Sequence, residues 1–148
     1  MSELQDKIVA EAMTWLNTPF LHQGAIKGRG VDCANFVART ICAVAPRYLG
    51  REDMIPTDYK PQEDGVALKR ILVEEADFVD TADRQKADII AFCDEACREP
   101  DVPRHLVIIQ AVVPATTFVI DPTPEGVVRH RLNGWWLKRI HSVWRVRE

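Results

Sequence analysis

The sequence lacks several features whose absence narrows its chemistry. No run approaches the ~18–20 consecutive apolar residues of a membrane-spanning helix, so no membrane span is expected. The opening residues, MSELQDKIVAEAMTWL, place acids and amides where a secretory leader has a basic region and a long apolar stretch. No signal peptide is read there, and synthesis in the cytoplasm is expected, with no export route of its own. There are no internal repeats and no low-complexity segments. Cysteine is scarce: Cys33, Cys42, Cys93 and Cys97 are the four, and they form no CxxC pair. In a chain without an export signal, free thiols are the default. Cys93 and Cys97 are four apart and could share a helix face as half of a metal site. No second cysteine pair completes it, so neither a metal nor an organic cofactor is expected.

Net charge is also small. The formal value of −3 gives no general attraction to nucleic acid, and none is expected as a partner. The charge is uneven, however. Residues 126–148 carry Arg129, Arg131, Lys138, Arg139, Arg145 and Arg147 against Glu148 alone, a net of +5, so the remainder carries −8. That basic tail reads as a solvated strand face, with an acidic substrate or partner as the other reading.

What is present is a globular composition, 47% hydrophobic and 28% charged over 148 residues, enough for one domain spanning 1–148 with a sizeable core. Ser2 and Gln5 form a capping-box pattern, and Ile8, Val9, Ala12, Trp15 and Leu16 follow at helical spacing. This first helix should end near Asn17, because Pro19 disfavours helix at Thr18. The segment TPFLHQGAIKGRG, with Gly24, Gly28 and Gly30, reads as an irregular loop. A second helix begins at Asp32 or Cys33, buries Phe36, Val37, Thr40 and Ile41, and is closed by Pro46. Residues 46–64 read as a surface loop, and residues 65–76 as a third helix through Leu68, Ile71 and Leu72. The period then changes. DIIAFC (88–93), HLVIIQAVV (105–113) and TFVID (117–121) are short apolar runs, and GVVRHRL (126–132) and SVWRVR (142–147) alternate, so all five read as strands. Helices first and strands second indicate an α+β fold, with helices packed on one face of an antiparallel sheet. Trp135, Trp136 and Trp144 could line a sugar- or peptide-binding surface; packing at the core and its rim is the favoured role.

The chemistry concentrates at Gly30-Val31-Asp32-Cys33-Ala34-Asn35-Phe36-Val37. Asp32 is a good N-cap, which puts Cys33 at the first helical position. The positive end of the helix favours a thiolate there. The free amides of the first turn point toward an oxygen developing beside the sulfur, which is half an oxyanion hole. A cysteine alone is usually a small buried hydrophobe; this one has company. His105 opens the most apolar strand, and Asp121 ends the next one, sixteen residues on. If those strands form a hairpin around residues 114–116, His105 and Asp121 lie at the same end. Asp121 can then hold one ring nitrogen while the other faces Cys33, the nucleophile–base–orienter arrangement of a cysteine hydrolase. Taken singly, His105 is an ordinary strand-end histidine and Asp121 a turn former before proline.

The order helix, TPF-x-x-QG, glycines, GVDCANFV, ADIIAF and a strand opened by His resembles the NlpC family of papain-like cell-wall cysteine peptidases. It is most similar to the branch found in bacteriophage tails and prophages. That branch has a Pro-x-x-Tyr segment, matched by Ile55-Pro56-Thr57-Asp58-Tyr59, and a Gly-Val-Val followed by a Trp-containing turn and a last strand, matched by Gly126-Val127-Val128, Trp135 and SVWRVR. The resemblance covers roughly residues 5–147. It implies a papain-like α+β fold with the cysteine helix on an antiparallel sheet. It also implies hydrolysis of amide bonds in peptidoglycan stem peptides, with Cys33 as nucleophile and His105 as base. Asp121 stands where the family usually has a second histidine or another polar residue. Phe20 stands where many members have a tyrosine whose hydroxyl reaches the site. Gln23 is then a candidate oxyanion donor, with Asp32 beside it, and His22 reads as a wall residue. The branch implies phage tail proteins as further partners and a place in the virion tail, or release at lysis. Two other functions remain open: a cytoplasmic amidase or acyltransferase on a small amide or thioester, and a structural tail-assembly module with a relic site.

Overall fold

Alternation of period two runs through the second half of the chain, and it builds one six-stranded sheet. The computed structural model describes residues 2–54, 64–93 and 102–148. Its elements are α1 (Glu3–Met13), β1 (Ala25–Ile26), β2 (Gly30–Val31), α2 (Cys33–Val44), α3 (Asp64–Glu75), β3 (Ala76–Val79), β4 (Ile89–Phe92), β5 (His105–Val112), β6 (Thr117–Thr123), β7 (Gly126–Arg131), α4 (Gly134–Leu137) and β8 (Ile140–Val146). Strand order in the sheet is β3-β8-β4-β5-β6-β7, with every neighbouring pair antiparallel. The fold is α+β, with helices packed on an antiparallel sheet.

Each strand divides its side chains between the two faces. Ala91, Leu106, Ile108, Ile120 and Val127 join the helices in the larger core. Ile90, Val107, Ile109, Val119 and Val143 form a smaller cluster on the other face, against which Trp136 and Ile140 pack. Burial on both faces explains why β4 and the middle of β5 read as continuous apolar runs rather than as alternating ones.

Helix α1 is started by the capping box of Ser2 and Gln5. It ends at Met13, earlier than its apolar spacing suggests. Residues 14–17 form a turn, and Asn17 takes a left-handed φ of 72°. The turn still buries Trp15, edge-on to Phe36 of α2. Pairing with the sheet accounts for the early stop: Asn17 N–H donates to the Val127 carbonyl, and Val127 N–H donates to that of Thr18. Gly126 makes this close approach possible. Its φ is 117°, and a Cβ there would lie 3.1 Å from the Thr18 carbonyl oxygen.

Helix α2 is the most buried helix of the chain; Cys33 through Ala38 are all buried. Its start is set by Asp32, whose carboxylate accepts from the Asn35 backbone N–H at 2.9 Å. Its end is set by Ala45, which turns to extended backbone ahead of Pro46. Phe36 is fully buried, and a side chain of that size contributes about 1.5–3 kcal/mol when removed from water.

Several expectations need correction. Ala76, read as the last residue of the third helix, opens a strand instead, Ala76–Val79, which pairs with the far end of β8 and is not among the strands read from the sequence. Residues 25–26 and 30–31 form a small hairpin inside the segment read as irregular loop. Residues 46–48 and 52–54 are short 3-10 turns joined by a turn at 49–51, while residues 55–63 of the predicted 46–64 loop, with the Pro-x-x-Tyr segment, lie outside the described residues. Cys33 and Cys42 are free, but Cys93 is disulfide-bonded, against the default of free thiols; Cys97 lies outside the described residues. Arg145 and Arg147 of the basic tail are paired with Asp88 and Asp77, so opposite charges from earlier in the chain offset part of its excess. Among the described residues no helix is long and apolar enough to cross a membrane.

Candidate active site

Cys33 is the first residue of α2, at the rim of the sheet, and is 8% exposed. The amides of a first helical turn have no partner within the helix, so they point out past its end, beside the sulfur. The loop that leads to Cys33 is tied down by its backbone. Leu21 N–H donates to the Val31 carbonyl, Val31 N–H to that of Pro19, and Asp32 N–H to that of Gly24. A Cβ on Gly24 would lie 2.8 Å from the carbonyls of Gly30 and Leu21, so no larger residue fits that crossing.

Asp32 joins this loop to the helix. One carboxylate oxygen accepts from the backbone N–H and side-chain amide of Asn35, and the other accepts from the Gln23 N–H at 2.7 Å. The carboxylate is buried and occupied by three donors, so its role on this geometry is structural. Gln23 is exposed and held at φ 63°, a left-handed conformation that is uncommon outside glycine. Its backbone faces Asp32. Phe20 is exposed at 45% and bridges Val31, and His22 is half-buried in the same loop.

On the other side of the rim, β5 and β6 form the hairpin whose turn falls at residues 114–116. It brings His105 and Asp121 together: the ring Nε2–H donates to Asp121 Oδ1 at 2.6 Å. The Cys33 side chain acts on the same ring. With Nε2 on the carboxylate, Nδ1 is the nitrogen left for the sulfur. Burial pushes the His105 pKa down, but the hydrogen bonds and charges of Asp121 and Cys33 outweigh it and carry it up from 6.5 to about 10. The ring stacks on Phe92, its cross-strand neighbour, with centroids 6.4 Å apart.

A further residue, His130, completes the cluster. Asp121 has a side chain 1% exposed, and its second oxygen accepts from His130 Nε2 at 2.7 Å. Burial raises the carboxyl pKa, yet the two imidazoles bring it from 3.8 down to about 2. The hydrogen bond to Asp121 likewise raises His130 above its ordinary value. Trp136 of α4 covers the group, with its ring 6.3 Å from His105, 5.7 Å from His130 and 5.0 Å from Phe92. Trp135 stands edge-on to Trp136 and exposed, with the Arg139 guanidinium 3.9 Å above its ring. Trp144 is a core residue.

His130 escaped the sequence reading, although a signal existed. Asp121 pairs with Val128 and Val119 with His130, so on the β6–β7 hairpin His130 is the diagonal neighbour of Asp121 on one face. Among the described residues no group of three or more His, Cys, Asp or Glu is arranged to hold a metal ion.

Thiol, imidazole and carboxylate are the residue types that a nucleophile, its base and an orienting group require. The solved structures that resemble the chain share its architecture. An NlpC/P60 family protein from Bacillus cereus superposes with a TM-score of 0.64 at 18% identity, covering 96% of this chain and 40% of that one. The fold is that of NlpC/P60 proteins. The NlpC/p60 domain of the peptidoglycan hydrolase SagA aligns with a TM-score of 0.57 at 16% identity, over 97% of this chain and 98% of that one. A lipoprotein-like NLP/P60 family protein from Staphylococcus aureus gives 0.59 at 15% identity, covering all of this chain and 43% of its own. This chain therefore spans less than half the length of two of these three NlpC/P60 structures. No family model matches the sequence, and no curated protein does.

Proposed function

We propose that this chain is a cysteine peptidase of the NlpC/P60 type that hydrolyses amide bonds in peptidoglycan stem peptides. The observation that carries the reading is the His105–Asp121 pair, 2.6 Å apart, with Cys33 acting on the same ring from a helix head within the NlpC/P60 fold. That one of the similar structures is a domain of a peptidoglycan hydrolase supports the substrate class.

The mechanism follows from the positions. The Cys33 sulfur attacks the scissile carbonyl carbon while His105 stands as imidazolium. The oxyanion of the tetrahedral intermediate is held by the Cys33 N–H, with the side-chain amide of Gln23 as the second donor. His105 gives its proton to the leaving amine as the C–N bond breaks, leaving a thioester on Cys33. Water, deprotonated by His105, attacks that thioester and releases the acid and the free sulfur. Asp121 holds the ring with Nδ1 toward the sulfur and balances its charge. The chemistry uses no metal and no organic cofactor. Placement in the phage tail branch rests on the Gly126-Val127-Val128 and Trp135 pattern, and on that placement the chain is packed into a tail or released at lysis.

Digestion of purified peptidoglycan by the parent and by Cys33→Ala, with fragments read by mass spectrometry, tests the reading. New stem-peptide fragments with the parent alone are expected. Equal fragments from both would end the assignment. No fragments, together with fast alkylation of Cys33 at pH 6, would move the substrate to small amides or thioesters. No fragments and a sluggish Cys33 would leave a tail-structure role.

A further inference from the structure

The catalytic reading uses one oxygen of Asp121; the other is held by a ring that this reading does not employ. His130 Nε2 lies 2.7 Å from Asp121 Oδ2, and His130 Nδ1 lies 3.1 Å from the Arg131 carbonyl oxygen. Both partners are acceptors. A neutral imidazole carries a single N–H, so one of the two contacts would then set lone pair against lone pair. Only the doubly protonated ring satisfies both.

We propose that His130 is a positioning residue of the site, an imidazolium on β7 that fixes Asp121 from its second oxygen and restrains the basicity of His105 across it. The proposal rests on the catalytic reading given above. Four groups then stand in a row, Cys33, His105, Asp121 and His130, with a cation at each imidazole and the carboxylate between them. The charged groups acting on His130 are Asp121 from β6 and His105 from β5. Helix α4 contributes only the uncharged ring of Trp136, and Arg129 of β7 is turned onto Gln110 and the face of Phe118. A lone buried carboxylate would hold the His105 proton so firmly that its transfer to a leaving amine would suffer. The second cation draws on the same carboxylate and repels the first, which brings His105 back toward the range useful for proton transfer.

The test is ring-nitrogen NMR of the four histidines, titrated in the parent and in His130→Gln, whose missing signals assign His130. Gln can still donate to Asp121 but carries no charge. In the parent at pH 7, both His130 ring nitrogens are expected to be protonated. In His130→Gln the His105 midpoint is expected to rise by about one pH unit, the effect of removing a cation held on the other oxygen of the same carboxylate. A parent His130 with one bare nitrogen at pH 7 overturns the proposal, and that measurement needs no variant. A folded His130→Gln protein whose His105 midpoint stays or falls overturns it as well. Neither readout depends on turnover, so a protein that shows both shifts but leaves peptidoglycan uncut keeps the role of His130 at the site and refutes only the substrate.

Discussion

Asp121→Asn is the perturbation that most sharply tests this account of the site. The carboxylate is buried and accepts one hydrogen bond from each of two imidazoles. Asparagine keeps one acceptor and replaces the other with an amide that only donates, so one ring must lose its N–H or its partner. The magnitude can be worked from both ends of the contact. A carboxyl held at about 2 against 3.8 in the unfolded chain corresponds to about 2.5 kcal/mol. An imidazole raised from 6.5 to about 10 corresponds to about 5 kcal/mol. The second figure also contains the contribution of Cys33, so the first is the better measure of what Asp121 supplies. Loss of about 2.5 kcal/mol lowers the melting temperature by roughly 5–10 °C in a chain of this size.

The pH dependence fixes the sign. Because the folded carboxyl pKa is depressed, its stabilisation is present above 3.8 and disappears as pH falls through about 2. Because the folded His105 pKa is raised, its stabilisation is complete below 6.5 and is lost as pH rises through about 10. Melting curves of parent and Asp121→Asn should therefore differ most between pH 4 and 6.5 and converge toward pH 2. His105 should titrate about two units lower in the variant, and turnover should fall about 10²-fold or more. A melting difference that persists unchanged at pH 2, or a His105 midpoint still near 10 in the variant, would refute the reasoning.

Other outcomes follow from single contacts. Cys33→Ala should abolish turnover and leave the melting temperature within a few degrees of the parent, since the side chain is small; peptidoglycan digestion and calorimetry check both. Cys42, which is buried and whose thiol pKa is raised first by that burial, should alkylate far more slowly than Cys33 at pH 6 in the native protein, as peptide mapping will show. Arg145→Ala leaves the buried Asp88 carboxylate without the guanidinium that bonds both of its oxygens at 2.9 Å. That should cost about 3 kcal/mol in urea unfolding, with catalysis unaffected at temperatures where the protein stays folded.

The parts of the fold that were legible in the sequence are those specified by local chemistry. Ser2 with Gln5, and Asp32 ahead of Cys33, signal helix starts because the first orphan amides need an acceptor nearby in the chain. Five of the six sheet strands appeared as short β-branched runs. The sixth, Ala76–Val79, did not, because it follows Glu75 without a break and half of it is solvent-facing, so no turn residue or apolar run marks it. His105 and Asp121 could be paired because one hairpin joins their strands. His130 required a second hairpin in register with the first, and its own neighbours, Arg129 and Arg131, make it look like part of a solvated basic face. The disulfide at Cys93 had no local signal, since the compartment rule was the only guide to cysteine state.

The distribution of these residues over the fold has a consequence for how the site fails. Cys33 belongs to the helix layer, whereas His105, Asp121 and His130 belong to the sheet and hold one another. The sheet half is thus fixed by its own hydrogen bonds, while the proposed nucleophile is placed by the head of α2 and by the loop tied to it. Asp32 joins that loop to that helix through Gln23 and Asn35. Replacing it with alanine removes the N-cap and the loop clamp together, at about 1–2 kcal/mol for the cap alone. The imidazole–carboxylate group should survive that change, with His105 and His130 still titrating as a pair by NMR, while turnover drops because the sulfur and the oxyanion amides lose their placement. If Asp32→Ala instead moved the His130 midpoint, which Cys33 does not influence, and spared the rate, nucleophile and base would not be positioned independently, and the division of the site between helix and sheet would be wrong.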